Sequence, residues 1–506
     1  MVHLHSSQST FYYFTFLKKQ IMSQKKTSNN GSFSRRDFLK TGALSSVALG
    51  SGTLLGGCAS SNGQARPGDA KNIIFMVSDG MSIGTLTAAD HMLRRHYGRP
   101  SHWISLYEQR RVNRGLMDMA SANSIVTGSA AASSSWGSGH RINNGRVNMT
   151  EEEQALKPIL RIFQDAGKAT GLATTTTITH ATPAGFGANV MQRGDQETIA
   201  EQYLDREYDV LLGGGNRFFD AAHREDQRDL YGEFAQKGYK VVRKKNDLMQ
   251  FNGNEKLLGI FYDGHVPYTL DHINTEEYQR DIPTLAEMTE TAINRLSKNT
   301  NGFILQVEGG RVDHAAHDND AAGLIYDQIA FDDAIGKVME FVENRDDTLV
   351  FITTDHGNAN PGLNGVGSGY NASEPRFDLI AEFRHTNNWF LPQLDENSSV
   401  SRIRELVEYA TKIEIRRDEA EILRKAYAGE YENLHRMMSR PRPVMGQILA
   451  NYLAFNWVGT SHTADYVELA AMGPGSDRIG PFTRNTDLFY LMVEMADVQA
   501  YTEEYA

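Results

Sequence analysis

Short apolar runs recur along the chain, and each ends in polar or glycine-rich sequence. The runs are Asn72–Val77, Ala169–Thr175, Val210–Leu212, Phe303–Val307, Leu349–Thr353 and Tyr466–Met472. Between them lie segments whose apolar residues recur at helical spacing, namely Leu156–Asp165, Thr284–Ser297 and Ala321–Asn344. Buried strands that alternate with helices predict an α/β fold, in which a mostly parallel central sheet is covered by helices on both faces.

The pattern changes between about residues 360 and 460. Asn358–Tyr370 is rich in glycine and asparagine, as loops are. Ser401–Ala450 is charged and helical in pattern, with few strand signals. We therefore predict a catalytic domain over residues 71–506 that carries an inserted lobe of helices and loops at about 360–460.

The first sixty residues have the pattern of an export signal. A twin-arginine motif spans Ser34–Lys40, a weakly apolar run of 17 residues follows, and Leu55–Cys58 resembles a bacterial lipobox. We expect residues 1–57 to be a Tat-type lipoprotein signal peptide and residues 58–70 to be a linker. The apolar run is too short and too weak for a transmembrane helix. The pattern therefore predicts a lipid anchor through Cys58 and a periplasmic or cell-surface location.

Charge and cysteine content narrow the chemistry. The 506 residues carry a formal net charge of −12, and removal of residues 1–57, with seven basic and one acidic side chain, lowers it to −18. Such an acidic chain is not expected to bind nucleic acid, because that binding depends on cations that pair with phosphates. Cys58 is the one cysteine in the sequence. A metal site in the body must therefore use histidine and carboxylate side chains.

Polar side chains follow several of the predicted strands. Where each strand ends or the next begins stand Asp79, His180 and Thr182, Glu308 with Asp313 and His317, Asp355 with His356, and His462. In open α/β sheets, ligands bind at the carboxyl ends of the strands. Carboxylate oxygens and imidazole nitrogens are the ligands of hard and borderline metal ions. Any one of these motifs alone is weak, but together they predict a metal site.

Several of these motifs are similar to those of the alkaline phosphatase family, and the resemblance runs from about Lys71 to Asp497. The most specific is Val307–His317, with the sequence VEGGRVDHAAH. The other matching motifs are Val77–Met81, Thr127–Ala131, His180–Ala184, Thr353–Gly357 and Thr460–Thr463. The resemblance implies hydrolysis of small-molecule phosphate monoesters through a phosphoserine intermediate, with two zinc ions and one magnesium ion. Relatives are often homodimers, so a homodimer is a further expectation.

The resemblance also implies a role for individual residues. The first zinc would be held by Asp313, His317 and His462, the second by Asp79, Asp355 and His356, and the magnesium by Asp79, Glu308 and Thr182. Ser129 matches the nucleophile, although Ser133, Ser134 and Ser135 stand close behind it. Arg193 stands eleven residues after Thr182, at the family's spacing for the arginine that binds two phosphate oxygens.

Two positions depart from the family pattern. Many relatives have an acidic residue just before the nucleophile, where this chain has Gly128. We hypothesise that Arg193 is less constrained as a result, so that phosphate binds more weakly. His180 stands where some relatives have an acidic residue beside the magnesium. A neutral imidazole there is expected to shift the third site toward zinc or to make magnesium activation more conditional.

Two other functions stay open at this point. A phosphodiesterase of the same superfamily would share most of these motifs, although Glu308 and Thr182 favour monoesters. A catalytically silent lipoprotein that binds phosphate or metal would need no serine at position 129. Fold alone does not separate these functions.

Overall fold

The computed structural model describes residues 65–367 and 369–502 of the 506-residue chain. The predicted signal peptide, the lipobox and Cys58 lie outside the described residues. Within the described ranges, no helix combines the length and the apolar character that crossing a membrane requires.

Ten strands of the described chain form one sheet, in the order β12-β2-β11-β8-β1-β7-β3-β4-β6-β5. The strands are β1 (Asn72–Val77), β2 (Asn113–Asp118), β3 (Ala169–Thr177), β4 (Val210–Gly214), β5 (Tyr239–Val242), β6 (Lys256–Ile260), β7 (Phe303–Glu308), β8 (Thr348–Thr353), β11 (Val467–Met472) and β12 (Phe482–Arg484). Two short strands outside this sheet, β9 (Gly362–Leu363) and β10 (Phe455–Asn456), pair with each other. Strand β11 runs antiparallel to both of its neighbours, and the other pairs are parallel. The prediction of a mostly parallel sheet is therefore confirmed.

Helices connect most of the strands. They are α1 (Ile83–Met92), α2 (His102–Glu108), α3 (Ser129–Ser138), α4 (Ile159–Asp165), α5 (Ala181–Gly187), α6 (Gln196–Arg206), α7 (Leu230–Gln236), α8 (Lys245–Met249), α9 (Thr269–Ile273), α10 (Glu276–Asp281), α11 (Leu285–Leu296), α12 (Arg311–His317), α13 (Ala321–Val342), α14 (Ser373–Asp378), α15 (Asn387–Phe390), α16 (Val400–Thr411), α17 (Arg417–Tyr427), α18 (Pro441–Leu453) and α19 (Asp487–Met495).

The central strand β1 shows why both faces of the sheet are covered. Successive side chains of a strand point to opposite faces. Ile74 and Met76 pack in a core with α1, α2, α11 and α13, while Phe75 packs in a second core with α3 to α7 and α19. The Phe75 ring lies 4.9 Å from the Trp136 ring of α3 and 5.3 Å from the Phe186 ring of α5. The expected layer of helices on each face is confirmed.

Element bounds differ from the predictions where capping or pairing decides them. Helix α4 begins at Ile159 rather than at Leu156, because Pro158 occupies its N-cap. Thr284 caps α11 with a capping box, so this helix begins one residue later than predicted. Strands β2, β5, β6 and β12 were not predicted. They are short or lie near a sheet edge, and β2 is largely polar, so pairing with β11 rather than an apolar pattern defines it.

The segment between β9 and β10 is a helical excursion whose two ends are held together. Leu363 of β9 pairs with Phe455 of β10, so the segment between these two strands begins and ends at the same strand pair. This segment carries α14 to α18. Its apolar side chains, among them Phe377, Phe390 and Ile403, join the core that covers α13. The exact extents assigned to the catalytic domain and the insertion remain predictions.

Helix α3 lies unusually close to α5 because two glycines face the contact. A Cβ atom on Gly137 would stand 1.9 Å from the carbonyl oxygen of Gly185, and one on Gly185 would stand 2.4 Å from Ser133 Oγ. The two backbones therefore touch. This contact fixes the start of α3, with Ser129, relative to the start of α5, with Thr182.

We expect Gly137→Ala to destabilise the protein by about 1–3 kcal/mol, because the added methyl group must separate two packed backbones. A thermal melt measures this as a lower Tm. Gly194→Ala is the matched control, since a Cβ there meets nothing within 4 Å. Equal Tm values for the two variants would contradict the close-contact account.

Candidate metal centre

Neighbouring strands bring most of the predicted site residues to one edge of the sheet. Strands β8, β1, β7 and β3 are adjacent and parallel, so their carboxyl ends lie side by side. Those ends carry Asp355 and His356, Asp79, Glu308, and Thr182 respectively. Strand β11 runs the opposite way, and His462 therefore reaches this edge from the segment that precedes its strand.

A first group of possible metal ligands consists of Asp313, His317 and His462, whose donor atoms lie within 4.8 Å of one another. Asp313 and His317 are one turn apart on α12. His317 Nδ1 bonds to the carbonyl oxygen of Thr460 at 2.7 Å, and His462 Nδ1 bonds to that of Thr127 at 2.9 Å. A ring that donates from Nδ1 keeps the Nε2 lone pair for a metal. The two Nε2 atoms stand 3.1 Å apart and face Asp313.

The two histidines of this group differ in their pKa values because their surroundings differ. Burial and the nearby His356 lower the pKa of His462 to about 4. Burial also opposes protonation of His317, but the Asp313 carboxylate raises its pKa to about 9. The Asp313 carboxylate thus stabilises positive charge at His317 while His462 stays neutral, and a metal ion bound there would take the place of the His317 proton.

A second group consists of Asp79, Asp355 and His356, all buried. His356 Nε2 stands 3.1 Å from Asp355 Oδ2 and 3.6 Å from Asp79 Oδ1. The backbone N–H of Gly80 donates to Asp355 Oδ1 at 3.0 Å. Gly80 has φ +69°, and a Cβ there would stand 2.7 Å from the Cα atom of Asp313. This glycine therefore allows α12 to bring the first group against the second.

A third group consists of Asp79, His180 and Glu308. The Thr182 hydroxyl donates to Asp79 Oδ2 at 3.3 Å, so it lies beside this group. Glu308 Oε2 accepts hydrogen bonds from the hydroxyls of Thr174 and Thr176. Burial raises the pKa of Glu308 to about 7 even though these hydroxyls favour its charged form.

Three carboxylate oxygen atoms in this centre lack a hydrogen-bond partner within the described part of the chain and could bind cations. Among the described residues, Asp79 Oδ1, Asp355 Oδ2 and Glu308 Oε1 are buried and accept no hydrogen bond. Burial, together with the charges of Asp355, Asp313 and Glu308, raises the pKa of Asp79 well above its usual value. Four carboxylates this close repel one another strongly at low dielectric constant. Divalent cations would offset that repulsion and coordinate the oxygen atoms that accept no hydrogen bond.

Ser129 and Arg193 lie at the same centre. Ser129 is the first residue of α3, and its Oγ stands 3.4 Å from His356 Nε2. Arg193 Nη2 donates to His180 Nε2 at 2.9 Å, and its Nη1 would stand 4.0 Å from a Cβ atom on Gly128. The arginine therefore reaches both the third group and the start of α3.

The other serines of α3 have their hydroxyls engaged elsewhere. Ser133 Oγ donates to the Thr182 carbonyl at 2.6 Å, and Ser135 Oγ donates to the Ala132 carbonyl at 2.6 Å. Ser134 Oγ accepts from the backbone N–H of Asn148 at 3.0 Å. These bonds favour Ser129 among the candidate nucleophiles.

Sequence reasoning missed the residues that hold the ligands in place. Thr174 and Thr176 position Glu308, and Asn358 Nδ2 donates to Asp313 Oδ1 at 2.7 Å. Asn144 Oδ1 accepts from the backbone N–H of Gly128 at 2.9 Å, beside Ser129. The run of four threonines that ends β3 was a visible signal, since a buried strand end gains nothing from hydroxyls unless they have a partner.

A mostly parallel α/β sheet with three acidic and histidine-rich groups beside a buried serine defines a metal-dependent hydrolase. Comparison with known proteins is more specific. The family model for alkaline phosphatase matches residues 70–498. The chain belongs to the alkaline phosphatase family, and it is a phosphatase.

Similar proteins cover nearly the whole chain. Alkaline phosphatase 3 of Bacillus subtilis is 30% identical over 464 residues, which span 90% of this chain and 95% of that protein. Alkaline phosphatase 4 of the same species is 32% identical over 435 residues, or 83% of this chain and 87% of that one. The crystal structure of Thermus thermophilus alkaline phosphatase, 34% identical, superposes with a TM-score of 0.80 and covers 88% of this chain and 96% of its own. These comparisons confirm the predicted fold and class of enzyme.

We expect removal of divalent ions by a chelator to lower the Tm, because the buried carboxylates then repel one another without compensation. Differential scanning calorimetry before and after chelation measures the shift, and zinc plus magnesium should restore the original Tm. Asp79→Asn removes one of the repelling charges and should respond less. A Tm that chelation leaves unchanged would contradict metal binding at this centre.

Proposed function

We propose that the protein hydrolyses phosphate monoesters through a phosphoserine intermediate at Ser129, using two zinc ions and one magnesium ion. The observation that carries this proposal is the position of Ser129 Oγ, 3.4 Å from His356 Nε2 at the buried start of α3. The hydroxyl therefore borders the second group. This group shares Asp79 with the third group, and its His356 ring stacks on His462 of the first group, with the ring centroids 3.6 Å apart.

The chemistry of the donors supports one ion for each group. The first group, with two imidazoles and one carboxylate, and the second group, with one imidazole and two carboxylates, suit zinc. In the third, Asp79, Glu308 and Thr182 offer the oxygen ligands that magnesium prefers. When bound, such ions lower the pKa of a nucleophilic hydroxyl and stabilise negative charge on entering and leaving oxygens.

The protein's own groups prepare the phosphate site. The first N–H groups of α3 point toward an anion at Ser129, and the helix dipole favours its negative charge. Arg193 presents a planar fork that can bond to two phosphate oxygens. Ser129 is almost fully buried, so its hydroxyl would attack phosphorus with little competition from bulk water.

His180 links the arginine to the third group. An arginine always donates, so His180 Nε2 accepts from Arg193 and the neutral ring carries its proton on Nδ1, toward Glu308 Oε1 at 4.0 Å. In this tautomer the ring offers no lone pair to a metal, which supports magnesium on the oxygen ligands. If Arg193 bonds to phosphate instead of to His180, the His180 ring can adopt either tautomer. The hypothesis that His180 shifts the third site toward zinc therefore applies to the phosphate-bound enzyme.

The features outside the described residues complete the proposal. We infer Tat export, a lipid anchor at Cys58 and a periplasmic or cell-surface location from the motifs of residues 34–58. We also propose a homodimer, because members of the family are often homodimers. A phosphodiesterase stays as the alternative, whereas membership of a family of phosphatases leaves no place for a silent binding protein. Glu308 and Thr182 beside Asp79 favour a monoesterase, and the Ser129 hydroxyl beside His356 favours catalysis over binding alone.

We expect Ser129→Ala to lower kcat for p-nitrophenyl phosphate at least about a thousandfold, because the nucleophile is lost. Metal content, measured by mass spectrometry, should stay near the wild-type value of three ions per chain. Ser135→Ala is the matched control, since its hydroxyl bonds within its own helix. Retained activity in Ser129→Ala would refute the phosphoserine. Faster turnover of bis-p-nitrophenyl phosphate by the wild type would indicate a diesterase.

We expect Gly128→Asp to tighten inhibition by inorganic phosphate. The side chain has room, because a Cβ at position 128 meets only Asn144 Oδ1 at 3.9 Å and Arg193 Nη1 at 4.0 Å. A carboxylate there would pair with Arg193 and hold its fork in place. Gly128→Asn, which has the same shape without the charge, is the control. Unchanged inhibition constants would show that position 128 does not constrain the arginine.

A further inference from the structure

A cavity opens beside the first group and extends into the helical segment between β9 and β10. Its volume is about 500 Å³, and His317 and Asp318, at the end of α12, form its inner wall. Most of the remaining wall is apolar and comes from the turn after α15, the end of α17 and the start of α18. These apolar residues are Leu391, Pro392, Leu394, Tyr427, Pro441 and Pro443.

The cavity adjoins the reaction centre through His317. The His317 ring directs Nε2 toward His462 and Asp313, and the same residue lines the cavity. Ser129 borders the second group, so in an in-line attack we assign the leaving oxygen to the first group. The alcohol part of a substrate would then extend past His317, toward the cavity that this residue lines.

Two hydrogen bonds hold the walls in place. Tyr427 Oη donates to the Leu391 carbonyl at 2.8 Å, which joins α17 to the turn after α15. Arg442 forms an ion pair with Asp318, which joins α18 to α12. The cavity is therefore formed before any substrate arrives, and binding a rigid ring there would cost little reorganisation.

One positive charge at this cavity has no counter-charge. Arg440 is exposed at the N-cap of α18 and lines the cavity, and it forms no ion pair with a carboxylate of the described residues. Arg442, by contrast, is neutralised by Asp318. An apolar wall with one free cation at its rim suits a ring that bears a negative group.

We propose that this cavity is a leaving-group subsite, which selects phosphate monoesters of ring-sized apolar alcohols and favours those that carry a negative substituent near Arg440. The proposal rests on the phosphomonoesterase function. It concerns substrate choice alone and not the hydrolysis of simple alkyl phosphates.

The test of the apolar wall compares phenyl phosphate with methyl phosphate on the metal-loaded enzyme. Tyr427→Ala should lower kcat/KM for phenyl phosphate about fivefold, the size of one aromatic contact, and change that for methyl phosphate less than about twofold. Pro441→Trp, which fills the cavity, should have the same selective effect. The variant-to-wild-type ratio for phenyl phosphate is divided by the same ratio for methyl phosphate, which cancels both the reactivity of each ester and any difference in metal loading.

Tyr427→Phe is the matched control for this residue. It keeps the ring and loses only the hydrogen bond to Leu391, so it should retain the preference for phenyl phosphate. Equal losses for both esters, or no loss for either in both Tyr427→Ala and Pro441→Trp, would overturn the subsite. A wild type that hydrolyses neither ester would instead overturn the proposed function.

Binding of phosphonates gives a readout that needs no turnover. Their P–C bond is not hydrolysed, so titration calorimetry can compare phenylphosphonate with methylphosphonate on the wild-type enzyme. We expect the phenyl compound to bind more tightly and Pro441→Trp to abolish the difference. Equal Kd values for the two compounds in the wild type would count against the subsite.

The role of Arg440 is tested with 4-carboxyphenyl phosphate. Arg440→Gln should lower kcat/KM for this substrate about threefold, the effect of one exposed ion pair, and leave phenyl phosphate unchanged. Arg402→Gln, an exposed arginine of α16 outside the cavity, is the control and should change neither. An equal effect of Arg440→Gln on both substrates would overturn the recognition of charge.

Discussion

Mutual repulsion of Asp79, Glu308, Asp313 and Asp355 is the constraint on which this structure depends. The four carboxylates are buried at the edge of one sheet, and three of their oxygen atoms accept no hydrogen bond from the described residues. No fold tolerates such a cluster without compensation. The threonine hydroxyls around Glu308 and the histidines around Asp313 supply part of it, and divalent cations would supply the rest.

The order of the strands and two glycines bring these carboxylates together with the other residues of the site. Adjacent parallel strands align the ligands, and the one reversed strand of the described sheet brings in His462 from a distant part of the chain. Gly80 and Gly137 then remove the side chains that would keep α12 and α3 away. The positions of the ligand residues and of Ser129 therefore depend on close backbone packing at residues that have no catalytic role.

The sequence predicted the fold where its pattern was local. β1, β7 and β8 carry continuous apolar runs, and α13 has strong helical spacing, so each was found within two residues of its bounds. β2 has no such pattern. It forms a strand because it pairs with β11, which comes over 350 residues later in the chain. The ligand residues were found from their positions at the ends of the predicted strands, and the resemblance to a family gave their division among three metal positions. Asn358 was not found, because its contact with Asp313 arises only in the folded chain. The threonines of β3 were missed although their run at a buried strand end was a signal.

The sharing of Asp79 between the second and third groups has a thermodynamic consequence. One carboxylate that serves two ions cannot bind either of them independently, so occupancy of one position changes the affinity of the other, and by the same factor in both directions. The two positions would therefore be thermodynamically linked. A change in the supply of one metal would then alter the occupancy of both positions.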